Sequence, residues 1–491
     1  MKKTQAAPAE AEAFDQRIEG IEPSGAGVAR IDGLDVVVPG ALPGDRADFR
    51  WRRPRPGGRR GLATGPVRIR ALSTDRTPPE APRCPHAGRC GGCPLAPLRY
   101  EAELSLKTRQ LLAEPLARVG FPADKLIAAC HGQPEGERAG FRNKAVLYPA
   151  VIGEAGKRCG RFGFFRAGTH EVVPAEDCPL APRWMQRAAR IAASLIHADP
   201  ASAVDPFALY DEAASTGSVR ALLMREGATL PNAEDEKRGE RLLTLVLARR
   251  PDDQALERIR SAFSALELEH LSVNVHPARG NAVLSFAPGA TLLLRGQPAI
   301  RTSLDSLVFD VRPETFLQVN TPQTPRLYAR ALSLLELGPK DNFLDLYCGI
   351  GTLTLLGARR AKRALGIEIV EASVALAQEN ARRNGIGNAS FLAGAVEDVL
   401  QSEAFQKLAQ ASPFNKAIVD PAYKGLAPGV APALAALELE RIVYIACGPK
   451  NFVRDAAALD QLGYALERVE ALDLFPGALH IEAIGLFRRR C

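Results

Sequence analysis

The run Asn342-Phe-Leu-Asp-Leu-Tyr347, followed by Cys348-Gly-Ile-Gly-Thr352 and the helix-forming stretch Leu353 to Arg360, constrains this chain more than any other segment. A short apolar run reads as a buried strand. Glycines let the backbone turn sharply and approach a ligand closely. Strand, glycine loop and helix, in that order, open a doubly wound α/β sheet. The pattern recurs downstream. Arg363-Ala-Leu-Gly-Ile367 ends at Glu368, Lys416-Ala-Ile-Val419 ends at Asp420, and Arg441-Ile-Val-Tyr-Ile-Ala446 ends at Cys447. In open sheets of this type ligands lie at the carboxyl ends of the strands. Glu368, Asp420 and Cys447 are therefore expected on one functional edge.

The loop also narrows the ligand. A dinucleotide fingerprint calls for a third glycine at position 354, where Thr354 stands, so no pyrophosphate turn is provided. Glu368 follows Gly351 by 17 residues, where an acid can bind both hydroxyls of a ribose. An adenosyl ligand without phosphates fits, and S-adenosylmethionine is the expected cofactor.

The remaining sequence is of a different kind. At ~100–200 residues per domain, 491 residues imply two to four domains. Residues 1–13 read as a frayed tail, 14–72 as a small all-β domain, 73–312 as a mixed central domain, and 313–491 as the α/β domain. In the all-β part, Val28 to Ile31, Asp32-Gly33 and Leu34 to Val38 form a strand, a type I′ turn and a strand. A five-stranded barrel of the OB type suits this length. Arg52, Arg53, Arg55, Arg59 and Arg60 crowd one loop beside Trp51, a phosphate-contacting patch or a solvated loop. Helices are expected around Glu101 to Val119 and Trp184 to Ile196.

Cys84, Cys90 and Cys93 form a C-x5-C-x2-C cluster, and Cys178 precedes Pro179. Three thiolates on one tight loop and a fourth from elsewhere suit an iron–sulfur cluster, with zinc as the alternative. Cys130, Cys159 and Cys491 lack such company. The net charge of +7 is compatible with a polyanionic partner and equally with an ordinary basic protein. No run of ~18 apolar residues is present, so no membrane span is expected. Met1 to Glu12 lacks the apolar core of a secretory signal, which points to the cytoplasm.

A thiol at a strand end needs a task. Carbon 5 of uracil is a poor nucleophile, but adding a thiolate at carbon 6 makes the ring an enolate that can attack an electrophilic methyl group. The carbon-5 proton must then leave, which a carboxylate can accept. Cys447 and Glu482, in Phe475-Pro-Gly-Ala-Leu-His-Ile-Glu482, offer both parts. Cys348 is a second thiol, expected to pack in the cofactor loop. Asp420-Pro-Ala-Tyr423 keeps an alternative open, because it resembles the Asp-Pro-Pro-Tyr motif of amino-methyltransferases, which need no thiol.

These residues resemble those of the RNA uracil-C5 methyltransferases over nearly the whole chain. Gly25-Ala-Gly-Val-Ala29 and Val38-Pro-Gly-Ala-Leu-Pro-Gly44 look like a TRAM domain. Phe141-Arg-Asn-Lys144 and Gly163-Phe-Phe-Arg166 look like central-domain motifs. Phe316-Leu-Gln-Val-Asn320, Asp345-Leu-Tyr-Cys-Gly-Ile-Gly-Thr352, Tyr444-Ile-Ala-Cys-Gly-Pro449 and His480-Ile-Glu482 match the family's site motifs. The resemblance implies a class I Rossmann-like methyltransferase sheet, an N-terminal TRAM barrel, and a central α+β domain carrying a 4Fe–4S cluster on Cys84, Cys90, Cys93 and Cys178. It assigns Gln318, Tyr347, Glu368 and Asp420 to S-adenosylmethionine, Cys447 to the nucleophile and Glu482 to the base. Barrel and cluster together are similar to the ribosomal-RNA members, which implies 23S rRNA as substrate, tRNA as the alternative partner, and a monomer. The chain departs from the family at Tyr423, usually Arg, at Gly448, usually Asn, at Ala395, often Asp or Asn, and at Gly477-Ala-Leu. A degenerate RNA-binding protein is the reading those departures would favour.

Overall fold

The computed structural model describes residues 10–22, 24–54, 60–76, 84–154, 157–198, 204–231, 238–280 and 282–490. They fall into two compact bodies. The first comprises the chain up to Gln110 together with Phe164–Val173 and Phe475–Leu479. The second comprises Leu111–Gly163, Pro174–Leu474 and the residues from His480 on.

The first body holds a closed barrel of five strands, β1 (Glu10–Ile21), β2 (Gly27–Ile31), β3 (Leu34–Val38), β4 (Arg46–Arg52) and β5 (Arg60–Ala71), in the order β1-β2-β3-β5-β4. β1 starts four residues ahead of the boundary read at Phe14. Asp32 and Gly33 both take positive φ, 50° and 76°, as a type I′ hairpin requires. Ile18, Ala29, Val36, Phe49 and Trp51 build the barrel's own core. A continuous helical run follows, α-helical over Tyr100–Lys107, π-helical over Thr108–Ala113 and α-helical again over Glu114–Arg118.

The second body contains most of one sheet, two of whose strands run partly through Phe164–Val173, and two further sheets. β6 (Ile127–His131) belongs to the last of them. β7 (Lys144–Ile152), β8 (Cys159–Phe165), β9 (Val172–Pro174), β10 (Val219–Glu226), β11 (Arg241–Leu247), β12 (His270–Val275) and β13 (Thr291–Arg295) form a sheet ordered β13-β12-β11-β10-β7-β8-β9. The expected central helix spans Arg183–Leu195. β14 (Ile300–Leu304) and β15 (Leu307–Val311) make a hairpin.

The third sheet carries the α/β pattern. Its strands are β16 (Asn342–Leu346), β17 (Arg363–Glu368), β18 (Ala389–Ala393), β19 (Lys416–Val419), β20 (Arg441–Ala446), β21 (Tyr464–Leu472) and β22 (Glu482–Arg489), in the order β18-β17-β16-β19-β20-β22-β21-β6. β16 to β20 are mutually parallel, and β22 runs antiparallel between β20 and β21. β19 is buried along its whole length, as a parallel strand covered on both faces must be. The expected α/β class and N-terminal barrel are both present. One strand comes from outside the expected range: β6, in the central segment, pairs with β21 at the sheet's edge.

Candidate active site

The loop after β16 leaves the ordinary backbone regions. Tyr347 has φ 66°, Gly349 56° and Gly351 83°. A left-handed tyrosine is strained, and such strain persists only where the surroundings hold it. Here the Cys348 amide donates to the Ile367 carbonyl at 3.0 Å, and Asn380 Nδ2 donates to the Ile350 carbonyl at 3.2 Å. A Cβ on Gly351 would stand 3.0 Å from the Phe391 ring. The bared loop faces a cleft whose walls include Phe316, Leu317, Tyr328, Asp345, Tyr347, Gly349 and Asp420.

Of the four residues expected at the cofactor, Tyr347 and Asp420 line this cleft, while Glu368 and Gln318 are not among its walls. Glu368 reaches it through one partner: its Oε2 accepts from the Gly349 amide at 3.1 Å, and its Oε1 from the Val370 amide at 2.9 Å. Gln318 is buried in the strap that bears Phe316 and Leu317. Asn143 Nδ2 donates to the Gln318 carbonyl at 2.8 Å, Asn320 Nδ2 to the Leu474 carbonyl at 2.8 Å, and Gln323 Nε2 to the Asp473 carbonyl at 3.0 Å. The strap is thus fixed to β7 on one side and to the end of β21 on the other.

Cys447 and Glu482 are brought together by sheet register. Ala446 of β20 pairs with Ala483 of β22. Cys447 and Glu482 each lie one residue beyond that last pair, and the Glu482 charge is felt at the thiol. Cys447 is half-buried, whereas Glu482 is 1% exposed and neither carboxyl oxygen has a hydrogen-bond partner among the described residues. Burial, reinforced by Asp420, pushes the Glu482 carboxyl up to about 8. Burial, with Glu482 and Asp420 adding to it, pushes the Cys447 thiol up to about 12. Asp420 itself is raised to about 7 by burial. Its charge is felt at Asp345, which burial lifts to about 8 against the opposing bond from Thr354 Oγ1 at 2.5 Å. Asp420 thus links the glycine-loop cleft to the thiol–carboxyl pair. Three acids and a half-buried thiol with raised values, Asp345, Asp420, Glu482 and Cys447, mark this edge of the sheet as a candidate site, since perturbed acids cluster where chemistry is done.

A family model for tRNA (uracil-5-)-methyltransferases matches residues 241–490. The chain belongs to this family. It is similar to an uncharacterized RNA methyltransferase of Halalkalibacterium halodurans, 30% identical over 99% of each chain. Another, of Gloeobacter violaceus, is 33% identical over 96% of this chain and 95% of that one. The crystal structure of Pyrococcus abyssi tRNA (uracil-54, C5)-methyltransferase in complex with S-adenosyl-L-homocysteine superposes with a TM-score of 0.69 at 22% identity, covering 97% of this chain and 100% of that one. That likeness shows the fold. As a family member, this chain is an RNA methyltransferase.

Other residues of the methyltransferase fall less simply. Asp345, Tyr328 and Phe316 were not singled out from sequence for the cleft, because their place depends on which side of a strand or strap faces it. Cys348 is buried, its sulfur 2.7 Å from where a Cβ on Gly366 would lie, which fits a packing role. Gly448 has a local reason: a Cβ there would meet the Tyr423 carbonyl at 2.7 Å, and Asn451 Nδ2 donates to the same carbonyl at 2.6 Å. Ala395 precedes the helix Val396–Gln401.

Cys84, Cys90 and Cys93 lie in the first body and Cys178 in the second. Among the described residues no group of three or more His, Cys, Asp or Glu side chains is arranged to hold a metal ion. No described helix is long and apolar enough to cross a membrane. The arginine-rich segment borders the barrel. Strand alternation in β4 turns Trp51 into the barrel core, 1% exposed, so it is not an open stacking platform. Arg52, Arg53 and Arg60 pair with Glu10, Asp32 and Glu22, and Arg55 and Arg59 lie outside the described residues, as does Cys491.

Proposed function

We propose that this enzyme transfers a methyl group from S-adenosylmethionine to carbon 5 of a uridine in 23S rRNA. The observation that carries the reading is that Cys447 and Glu482 lie just past the last pair of β20 and β22, and that both feel the charge of Asp420 in the glycine-loop cleft. The Cys447 thiolate adds to carbon 6, the enolate attacks the methyl carbon from carbon 5 and releases S-adenosylhomocysteine, the Glu482 carboxylate takes the carbon-5 proton, and the thiolate is eliminated. Gln318, Tyr347, Glu368 and Asp420 hold the cofactor. The target base leaves its stack to reach the thiol. Burial favours the neutral forms of both the thiol and Glu482, so each gives up its proton to solvent before it acts.

Cys84, Cys90, Cys93 and Cys178 would hold the 4Fe–4S cluster. The all-thiolate donor set suits iron and sulfide. The backbone round the first three is drawn in tightly: the Gly91 amide donates to the Phe165 carbonyl at 3.2 Å, and a Cβ there would meet the Ala167 amide nitrogen at 2.7 Å. The methyl transfer has no step through the cluster. The barrel serves as a TRAM domain that holds surrounding RNA.

RNA containing 5-fluorouridine tests the chemistry, because fluorine cannot leave as a proton does. Wild-type enzyme should form a denaturation-stable adduct with substituted 23S rRNA, and Cys447→Ala should form none. An adduct that survives Cys447→Ala would overturn the carbon-5 mechanism. Adduct formation with tRNA and not with 23S rRNA would overturn the assignment of substrate.

A further inference from the structure

Three cations, Arg142, Lys144 and Arg225, lie around the start of β7. Arg142 lies two residues ahead of that strand and Lys144 opens one of its faces, both half-buried. Arg225 of β10 is the register partner of Lys144, so it shares that face. Arg225 is 2% exposed. Its Nη2 donates to the Thr315 carbonyl at 2.7 Å, but its Nε and Nη1 are buried without partners, as is Nε of Arg142. None of the three forms an ion pair among the described residues. The acid whose charge reaches Lys144 and Arg225 is Glu314, itself exposed. Burial, with Arg225 adding repulsion, lowers the Lys144 ammonium to about 8, and burial lowers the Arg225 guanidinium to about 10.

A buried cation that lacks a partner is costly, and folds keep one where something else supplies the opposite charge. The place indicates what. Arg142 forms a β-bridge with Asn320, and Arg225 holds Thr315, so the cluster flanks both ends of the strap that carries Phe316 and Gln318. Phe316 is 68% exposed and lines the cofactor cleft. None of the three cations is among the cleft walls. Residues two apart on a strand are roughly 6.7 Å apart. Three donors over such a span suit a chain of phosphates better than one carboxylate.

We infer that Arg142, Lys144 and Arg225 form a phosphodiester-binding site for the RNA strand beside the target uridine. The inference rests on the RNA reading above.

The test is equilibrium binding of a fluorescent 20-nucleotide oligouridine across a salt series, with S-adenosylhomocysteine binding measured calorimetrically in parallel. Lys144→Gln, at a half-exposed position, should shrink the slope of log K against log salt by about 0.7, the value for one single-strand phosphate contact. Its cofactor affinity should stay within two-fold of wild type. Arg142→Gln should behave alike, and Arg225→Met is added only if its thermal unfolding matches wild type. An unchanged salt slope in both Lys144→Gln and Arg142→Gln would overturn the site. Weakened cofactor binding with an unchanged slope would overturn it in favour of the cofactor carboxylate. If wild-type enzyme itself binds without salt dependence, the RNA reading fails, and the site fails with it.

Discussion

Glu482 is a carboxyl whose surroundings favour its neutral form. Burial raises it from 4.5 to about 8. A carboxyl raised in the folded state adds stability below its ordinary value, and that stability is lost as pH rises through the folded value. Stability should therefore fall between about pH 4.5 and 8, as Asp345 and Asp420, also raised by burial, ionise alongside. Glu482→Gln removes one ionising group. Thermal unfolding should show no gain at pH 4.5 and a gain on the order of 2–4 kcal/mol at pH 9; equal gains at both would contradict the buried acid. The same variant should accumulate a methylated covalent RNA adduct on ordinary substrate, visible by denaturing electrophoresis. Methylation by wild type should rise from pH 6 to 9 as Glu482 and Cys447 approach their ionised forms, and a flat profile would count against both roles. The sequence draws attention to Cys447 because it follows a recognisable apolar strand, and to Glu482 because it closes the His480-Ile-Glu482 motif just as β22 begins. Asp345 was quoted within the loop motif but not as a perturbed acid, since only three-dimensional burial makes it one.

Among elements, the strands of the α/β sheet were legible because two-sided burial writes uninterrupted apolar runs. β16, β17, β19 and β20 lie within one residue of the limits read from sequence. β6 was not legible. Ile-Ala-Ala-Cys-His is short, and its strand character depends on the edge of β21 that it joins. Gly366 shows what the loop's compactness demands of its neighbour. A Cβ there would lie 2.7 Å from both Cys348 Sγ and the Phe391 ring, and 2.9 Å from Thr354 Oγ1. Gly366→Ala should cost about 1–3 kcal/mol, read as a lower urea midpoint with an unchanged m value. An unaltered midpoint would mean the loop yields more readily than its packing implies.

For the whole molecule, the barrel's separate core makes it a candidate for independent removal. Deleting residues 1–72 should weaken RNA binding far more than S-adenosylhomocysteine binding, measured on the same preparation; equal losses would argue against a nucleic-acid role for the barrel. The barrel was legible through its Asp-Gly turn and alternating strands, whereas the composition of the two bodies was not. The stretch Phe475–Leu479 belongs with residues more than 360 positions earlier: Lys107 Nζ donates to the Phe475 carbonyl at 3.0 Å, and the Gly477 amide donates to Glu103 Oε1 at 2.6 Å. No local pattern announces a partnership of that sequence separation.

The position of β22 has a consequence for synthesis. It is the last strand of the sequence, yet it fills the gap between β20 and β21. A nascent chain carries both neighbours before their common partner leaves the ribosome. Until then two strand edges are open, and open edges invite pairing with other chains. Emergence of β22 thus closes the sheet and brings Glu482 to the edge that holds Cys447 in one event, so a chain stalled short of β22 would be both inactive and prone to aggregate.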